Sequence, residues 1–422
     1  MPSHWTSKAI KWLSPVLRGA SPRPIDDPRY FDEEGEYAWV RISDVSSSRG
    51  VLWDAEQRLS LLGSSLSVKL EPGNLFVSIA GTVGKPCITA IKVCIHDGFV
   101  YFPRLDIDPH FLYRVFEAGQ CYAGLGKLGT QLNLNTDTIG SIRVPIPPPQ
   151  EMQHIVDFLD RETTKIDALV KEQQRLIELL EEKRQAAVSR AVTKGLGANV
   201  PMKRSGIEWL GDVPDHWDII PLRALFRFVK RQNGDALEVL SVYRDYGVIT
   251  KASRNDNINK TPDDLTSYQT VYPGDLVVNK MKAWQGSLGI STHEGITSPD
   301  YAVFQPTHNG DPEYLNWLLR CRLLPDKYRS ISNGIRPDQW RLEPDRFKEL
   351  KIPFPPLIEQ REIATNLRSF VKNTDDLCGQ AEKAVDLLLQ RRRALISAAV
   401  TGKIDVRGQT EAAASIPDVV AA

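Results

Sequence analysis

The strongest constraint on this chain is that part of it is written twice. Val144-Pro145-Ile146-Pro147-Pro148 returns 208 positions later as Ile352-Pro353-Phe354-Pro355-Pro356. Glu151 and Ile155 meet Glu359 and Ile363 at that offset, and Ser189, Ala191, Val192 and Thr193 meet Ser397, Ala399, Val400 and Thr401. Upstream the offset holds for Gly126/Gly334, Gln131/Gln339, Leu134/Leu342 and Asp137/Asp345. Further upstream it drifts: Pro2-Ser3-His4-Trp5 resembles Pro214-Asp215-His216-Trp217, and Pro72-Gly73-Asn74-Leu75 resembles Pro273-Gly274-Asp275-Leu276. A repeat of this period means one structural unit used twice. Its divergent part is globular, and its gap-free part has a fixed length.

The gap-free part reads as helix. A proline block cannot sit inside a helix, so each helix begins after one and runs to Val192 or Val400, with Gly195 and Gly402 as stop signals. Apolar residues recur in steps of three and four: Ile155, Leu159, Ile166, Leu169, Leu176 and Leu180 in the first, and Ile363, Leu367, Phe370, Leu377, Leu388 and Leu395 in the second. That is heptad spacing, and the two stripes predict a helix pair packed through these residues. About 42 residues at about 1.5 Å each give a rod of roughly 60 Å. An antiparallel pair would act as a spacer.

The preceding segments read as mixed α/β with short strands after Pro-Gly turns, such as Leu75–Ile79 and Leu276–Asn279. The expected fold is therefore mixed α/β, two globular domains each followed by a long helix, the helices pairing as an antiparallel coiled coil. The boundaries expected are 1–149, a helical spacer 150–196, a second domain 197–354, a second spacer 355–406, and a disordered, Ala-rich tail 407–422.

Composition narrows the function. Lysine plus arginine equals aspartate plus glutamate, 53 each, which excludes a simple nucleic-acid coat but not a local basic face. The five cysteines are scattered and form no CxxC pair, so neither a disulfide framework nor a zinc site is expected. No apolar run reaches the roughly 18 residues of a membrane span, and the N-terminus has no signal-peptide core. Cytoplasmic is the default expectation.

Basic, amide and aromatic side chains gather in loops, and these types contact phosphates and base edges. The candidates in the first domain are Lys85, Lys127, Thr130, Gln131 and Asn133. In the second they are Lys280, Lys282, Trp284, Gln285, Arg336, Gln339 and Arg341. Catalytic readings fail on chemistry. Asp338 with Glu349 and Lys351 has nuclease spacing, but the first copy has Thr130, Ser141 and Arg143 there. Gly81–Lys85 lacks the first glycine of a phosphate loop, and Pro86 replaces its Ser/Thr. No metal site and no catalytic residue is expected.

Ile352–Gln360 opening a helix that closes in Arg393–Asp405, together with Ser205–Gly211 before Pro214–Trp217, closely resembles the specificity subunit of type I restriction–modification enzymes. The first copy departs from the pattern at Ile146–Met152. The resemblance implies a non-catalytic chain whose two target-recognition domains each read one half of a split, asymmetric site in double-stranded DNA. It implies that the helices set the spacing and dock two methylation subunits, and that restriction/translocase subunits join the complex. S-adenosylmethionine, ATP and Mg²⁺ would belong to those partners and not to this chain. The rival reading from the residues alone is a duplicated coiled-coil scaffold whose globular domains bind proteins.

Overall fold

The computed structural model describes residues 1–125, 134–232, 237–254, 261–262, 264–334 and 340–407. The elements used below are β1 (Thr6–Ala9), β2 (Leu75–Ser78), β3 (Pro86–Thr89), β4 (Phe99–Tyr101), α1 (Pro109–Glu117), β5 (Arg143–Ile146) and the long α2 (Pro149–Lys194). In the second half they are β6 (Asp218–Pro221), β7 (Phe226–Val229), β8 (Leu276–Asn279), β9 (Leu288–Ile290), β10 (Tyr301–Pro306), α3 (Pro312–Leu319), α4 (Pro325–Ser330), β11 (Lys351–Phe354) and the long α5 (Leu357–Val400). The fold is mixed α/β, as the sequence predicts. Both long helices start two residues before Glu151 and Glu359, the starts that the proline blocks predict from the sequence. Proline is tolerated in a first turn, where its missing N–H has no partner to lose, so α2 begins on Pro149 itself.

The chain divides into two compact units, and the division cuts through both long helices. Unit 1 holds Met1–Gln173 and Lys383 onward; unit 2 holds Gln174–Glu382. Each unit therefore contains one globular domain, the N-terminal half of its own long helix and the C-terminal half of the other. The expected boundaries kept each helix whole, because a linear reading cannot assign half a helix to a distant core.

In unit 1, β2, β3 and β4 lie in a five-stranded sheet, with β2 antiparallel to both neighbours. A second sheet pairs Tyr37–Val40 in parallel with Val93–Ile95. β1 pairs antiparallel with β5, Thr6 opposite Ile146, so the N-terminus is tied to the lead-in of α2. The core joins Leu75, Val77 and Val100 to Phe111, Leu112, Val115 and Phe116 of α1. It adds Ile155, Val156 and Leu159 of α2 and Ile396, Ala399 and Val400 of α5.

Unit 2 repeats the plan. β7, β10, β8 and β9 form one antiparallel sheet, and β6 pairs with β11, Asp218 opposite Phe354. Leu276, Val278 and Phe304 pack with Tyr314, Leu315, Leu318 and Leu319 of α3. They also pack with Val188, Ala191 and Val192 of α2 and Ile363, Ala364 and Leu367 of α5. The Pro-Gly turns before β2 and β8 place Gly73 at φ 88° and Gly274 at φ 92°, a left-handed conformation that a Cβ disfavours.

In both units the long helices run antiparallel. Within unit 1, Asp167 meets Arg392 while residues near 156 meet those near 399; within unit 2, Arg184 meets Asp375 while Val192 meets Leu367. One continuous line of buried or half-buried residues along α2 runs through Met152, Val156, Leu159, Thr163, Ile166, Val170, Gln173, Ile177, Leu180, Arg184, Ala187 and Ala191. The steps alternate four and three without a break, and the same positions plus 208 mark the line on α5, from Gln360 through Thr374 and Ala381 to Ala399.

This phase differs from the expected stripe. Leu159, Ile166, Leu180, Leu367, Leu388 and Leu395 lie on the line. Ile155 and Ile363 are buried one step beside it, in the domain cores, and Phe370 sits half-buried beside Val371. Leu169, Leu176 and Leu377 are 51%, 43% and 49% exposed. At each, an adjacent Val170, Ile177 or Cys378 takes the inward place. Two neighbouring apolar residues let the stripe be drawn through either, and the domain-packed ends decide. Accordingly, Leu169→Ala and Leu377→Ala should each change stability by less than about 0.5 kcal/mol, as surface substitutions do. A larger shift in either urea midpoint would reject this phase.

Candidate nucleic-acid interface

In unit 2 the β8–β9 connection is a tight, internally capped turn. The Asn279 side chain accepts from the Met281 and Lys282 backbone N–H groups (3.1 and 3.2 Å). Ala283 is fully buried beneath a short 3-10 turn, and Gly286 leaves it at φ 88°. These anchors push the intervening side chains outward: Lys282 and Gln285 are exposed, and Trp284 is half-buried. The Trp284 indole N–H donates to the Met281 carbonyl (3.1 Å), and its ring packs edge-on against Trp340 at 5.8 Å. Arg329, from α4, lies over the Trp340 ring at 4.8 Å, a cation–π contact.

The second wall comes from residues 340–342. The Leu342 N–H donates to the Lys280 carbonyl (2.8 Å), which lays Arg341 beside Lys280. Lys280 Nζ donates to the Pro299 carbonyl (2.8 Å). Burial, then the positive charges of Arg341 and Lys230, hold the Lys280 pKa below its ordinary value, against the opposing pull of Asp300. Crowded cations of this kind are relieved by an anion. A rigid turn carrying Lys280, Lys282, Arg341 and the edges of two tryptophans can accept phosphate oxygens and present flat apolar surface to a base or sugar.

The corresponding loop of unit 1 is built for something else. Lys85 Nζ donates to the Ser46 carbonyl at 2.8 Å and reaches the Ser48 carbonyl at 3.5 Å. Its charge thus stitches the loop to the helix Ile42–Ser47. Ser46 and Thr82 share a hydroxyl hydrogen bond (2.8 Å), and the Tyr122 hydroxyl donates to the Gly84 carbonyl. The exposed groups are Ser43, Ser46, Ser47 and Thr82, flanked by Arg41 and Arg49.

Of the residues expected from sequence, Lys280, Lys282, Trp284, Gln285 and Arg341 come together. Lys85 stands apart in a holding role. Lys127, Thr130, Gln131, Asn133, Arg336 and Gln339 lie outside the described residues. Sequence reading missed Lys230 and Arg329, because neither lies near the turn in sequence. Glu349 pairs with Arg223 (3.2 Å), and Asp338 lies outside the described residues. Among the described residues no group of three or more His, Cys, Asp or Glu side chains is arranged to hold a metal ion, and no helix is long and apolar enough to cross a membrane. The His-Trp motifs serve as joints: His4 Nε2 meets Glu151 (2.8 Å), and His216 Nε2 meets Glu359 (2.7 Å), where the Trp217 indole also donates (3.0 Å).

The two units repeat one plan, and each carries a different loop surface. The chain belongs to the type I restriction modification DNA specificity domain family, whose model matches residues 2–179 and again 214–386. It is 24% identical over 291 residues to the type I restriction enzyme MjaVIII specificity subunit of Methanocaldococcus jannaschii, covering 63% of each chain. Its fold is similar to a chain in a solved structure titled for complex assembly and conformational transition of the type I R-M system. That match has TM-score 0.71 and 16% identity, covering 96% of this chain and 99% of the other. It is also similar to the crystal structure of the HsdS subunit from Thermoanaerobacter tengcongensis, with TM-score 0.55 and 17% identity, covering 96% and 98%.

Proposed function

We propose that this chain is the DNA sequence-recognition subunit of a type I restriction–modification complex, each recognition domain reading one half of a bipartite, asymmetric site. The observation that carries the reading is the double family match, one per domain with its helix. The lysine- and tryptophan-bearing turn of one half against the hydroxyl-rich loop of the other supports two unrelated half-sequences. The paired helices set the half-site spacing and dock two methylation subunits. S-adenosylmethionine, ATP and Mg²⁺ act in the methylation and restriction/translocase subunits, in the cytoplasm, and this chain contributes recognition without chemistry of its own.

The test is to co-express the chain with its methylation subunits and map modified adenines across the host genome. The expected result is one split motif with two different halves and a fixed gap. A contiguous motif, or no chain-dependent methylation and no salt-sensitive duplex binding by the assembled complex, would overturn the reading in favour of a protein-binding scaffold.

A further inference from the structure

Resting on the recognition function proposed above, we infer that the tip of the hairpin formed by Leu240–Tyr243 and Gly247–Thr250 is a second DNA-contacting element of unit 2, with Arg244 set on a phosphate and the Tyr246 ring on a thymine methyl. The hairpin is antiparallel, Leu240 opposite Thr250 and Tyr243 opposite Gly247, which leaves Arg244, Asp245 and Tyr246 as a three-residue loop. All three are exposed, Tyr246 by 59%. The loop lies beside the Trp284 turn. Arg244 Cγ stands 3.8 Å from where a Cβ on Gly286 would be. Gly289 of β9 packs on Gly247, whose Cα lies 3.2 Å from a Cβ built on Gly289. The hairpin tip and the lysine- and tryptophan-bearing turn thus form one continuous face.

An idle loop would not need what holds this one. Arg320, just past α3, donates Nη2 to the Arg244 carbonyl (2.9 Å). A Cβ on Gly247, which sits at φ 73°, would come within 3.2 Å of Arg320 Nη1, so a side chain there would press on the guanidinium. Among the described residues, Arg320 Nε is buried with no hydrogen-bond partner. Burial pulls the Arg320 pKa below its ordinary value, and Asp245 opposes that only in part. A buried, half-satisfied cation costs stability, and folds accept such costs at functional sites. What Arg320 secures is the place of the tip. Tyr246 is also held from its side: the Arg254 guanidinium lies 4.7 Å over its ring, and Tyr243 meets it edge-on at 6.4 Å. A large aromatic that is fixed yet more than half exposed is preorganised for a contact. Arg244, Arg254 and Arg320 gather around Asp245, which favours an anionic partner. The Arg244–Asp245 pair (3.1 Å) is 68% exposed on both sides, so it is weak in water and gives way to a phosphate. The thymine methyl is the one apolar group on the base edges, and it is what a flat ring can select.

The test uses the full chain assembled with its methylation subunits, and a panel of duplexes in which each base pair of both mapped half-sites is changed in turn. R244A should weaken binding to every duplex alike, about tenfold, and lower the slope of log affinity against log salt by about one. Y246A should leave that slope unchanged and lose discrimination, about tenfold, at one T·A pair of the second half-site. Y246F, which keeps the ring, should discriminate as wild type does. Arg320 is a positioning residue, so R320Q should lose discrimination at the same pair as Y246A, whereas general damage to unit 2 would not single out that pair. Wild-type slope from R244A with wild-type discrimination from Y246A overturns the proposal. So does loss at a pair other than T·A, loss in the first half-site, equal loss from Y246F, or a different pair lost in R320Q. A wild-type complex with no split site and no salt-sensitive binding overturns the recognition function itself, and this assignment with it.

Discussion

Replacing Arg392 by alanine is expected to destabilise unit 1 by about 3 kcal/mol, while the equivalent replacement of Arg184 changes unit 2 by less than about 1 kcal/mol. The two arginines hold the same position in the repeat, and each points from the inward line of its helix to an aspartate on the other. Their surroundings differ. Arg392 donates to Asp167 (2.9 Å) and to Glu117 of the recognition domain (2.9 Å), and Glu117 also holds Arg114 at 2.5 Å. Arg392 and Glu117 are 20% and 16% exposed, so removing the guanidinium takes from a buried carboxylate one of its two cations and leaves only Arg114. Burial pulls the Arg392 pKa down, and Glu117 and Asp167 more than reverse it, leaving it above the ordinary value. Arg184 and Asp375 are 38% and 55% exposed, so solvent screens their attraction and little stability is lost with it. Urea unfolding followed by probes placed in each unit measures both. Equal effects would mean that the domain contact through Glu117 adds nothing to the helix pair.

Changing Lys280 and Arg341 together to alanine is expected to weaken binding of the assembled complex to its duplex by roughly 100-fold. Each charge-assisted hydrogen bond to a phosphate contributes about 1.5 kcal/mol, and about 1.4 kcal/mol is a factor of ten. The slope of log affinity against log salt should fall by about one for each cation removed. The half-site read by the first domain should keep its sequence. Lys85→Ala is the contrast: its ammonium is bound to two backbone carbonyls, so the substitution should lower stability and leave the salt slope alone. A double variant with an unchanged slope would remove this turn from the interface.

The large plan was legible because it rests on signals that local sequence carries. Proline blocks fix where the long helices start, heptad steps mark them as paired, and Pro-Gly before Leu75 and Leu276 marks the strands that follow. What stayed hidden depends on placement. The stripe slipped at Leu169, Leu176 and Leu377 because each has an apolar or thiol neighbour, and only packing at the helix ends selects between them. Lys85 and Lys280 look alike as loop lysines. One is consumed by the carbonyls of Ser46 and Ser48, and the other is crowded by Arg341 and Lys230. The Trp284–Trp340 contact joins residues whose separation in sequence gives no hint of it. Parallel pairing of Tyr37–Val40 with Val93–Ile95 has no periodic signal to announce it.

The sharing of helix halves between units has a consequence for synthesis on the ribosome. The second recognition domain has its whole core once Leu367 and Val371 of α5 have been made. The first needs Ile396, Ala399, Val400 and Val406, which come near the end of the chain. The first domain to emerge is thus the last to be completed, and until then its apolar seat for the end of α5 stays open to solvent or to a chaperone. A premature stop shortly after Val371 would leave the second domain its core and deprive the first of its own.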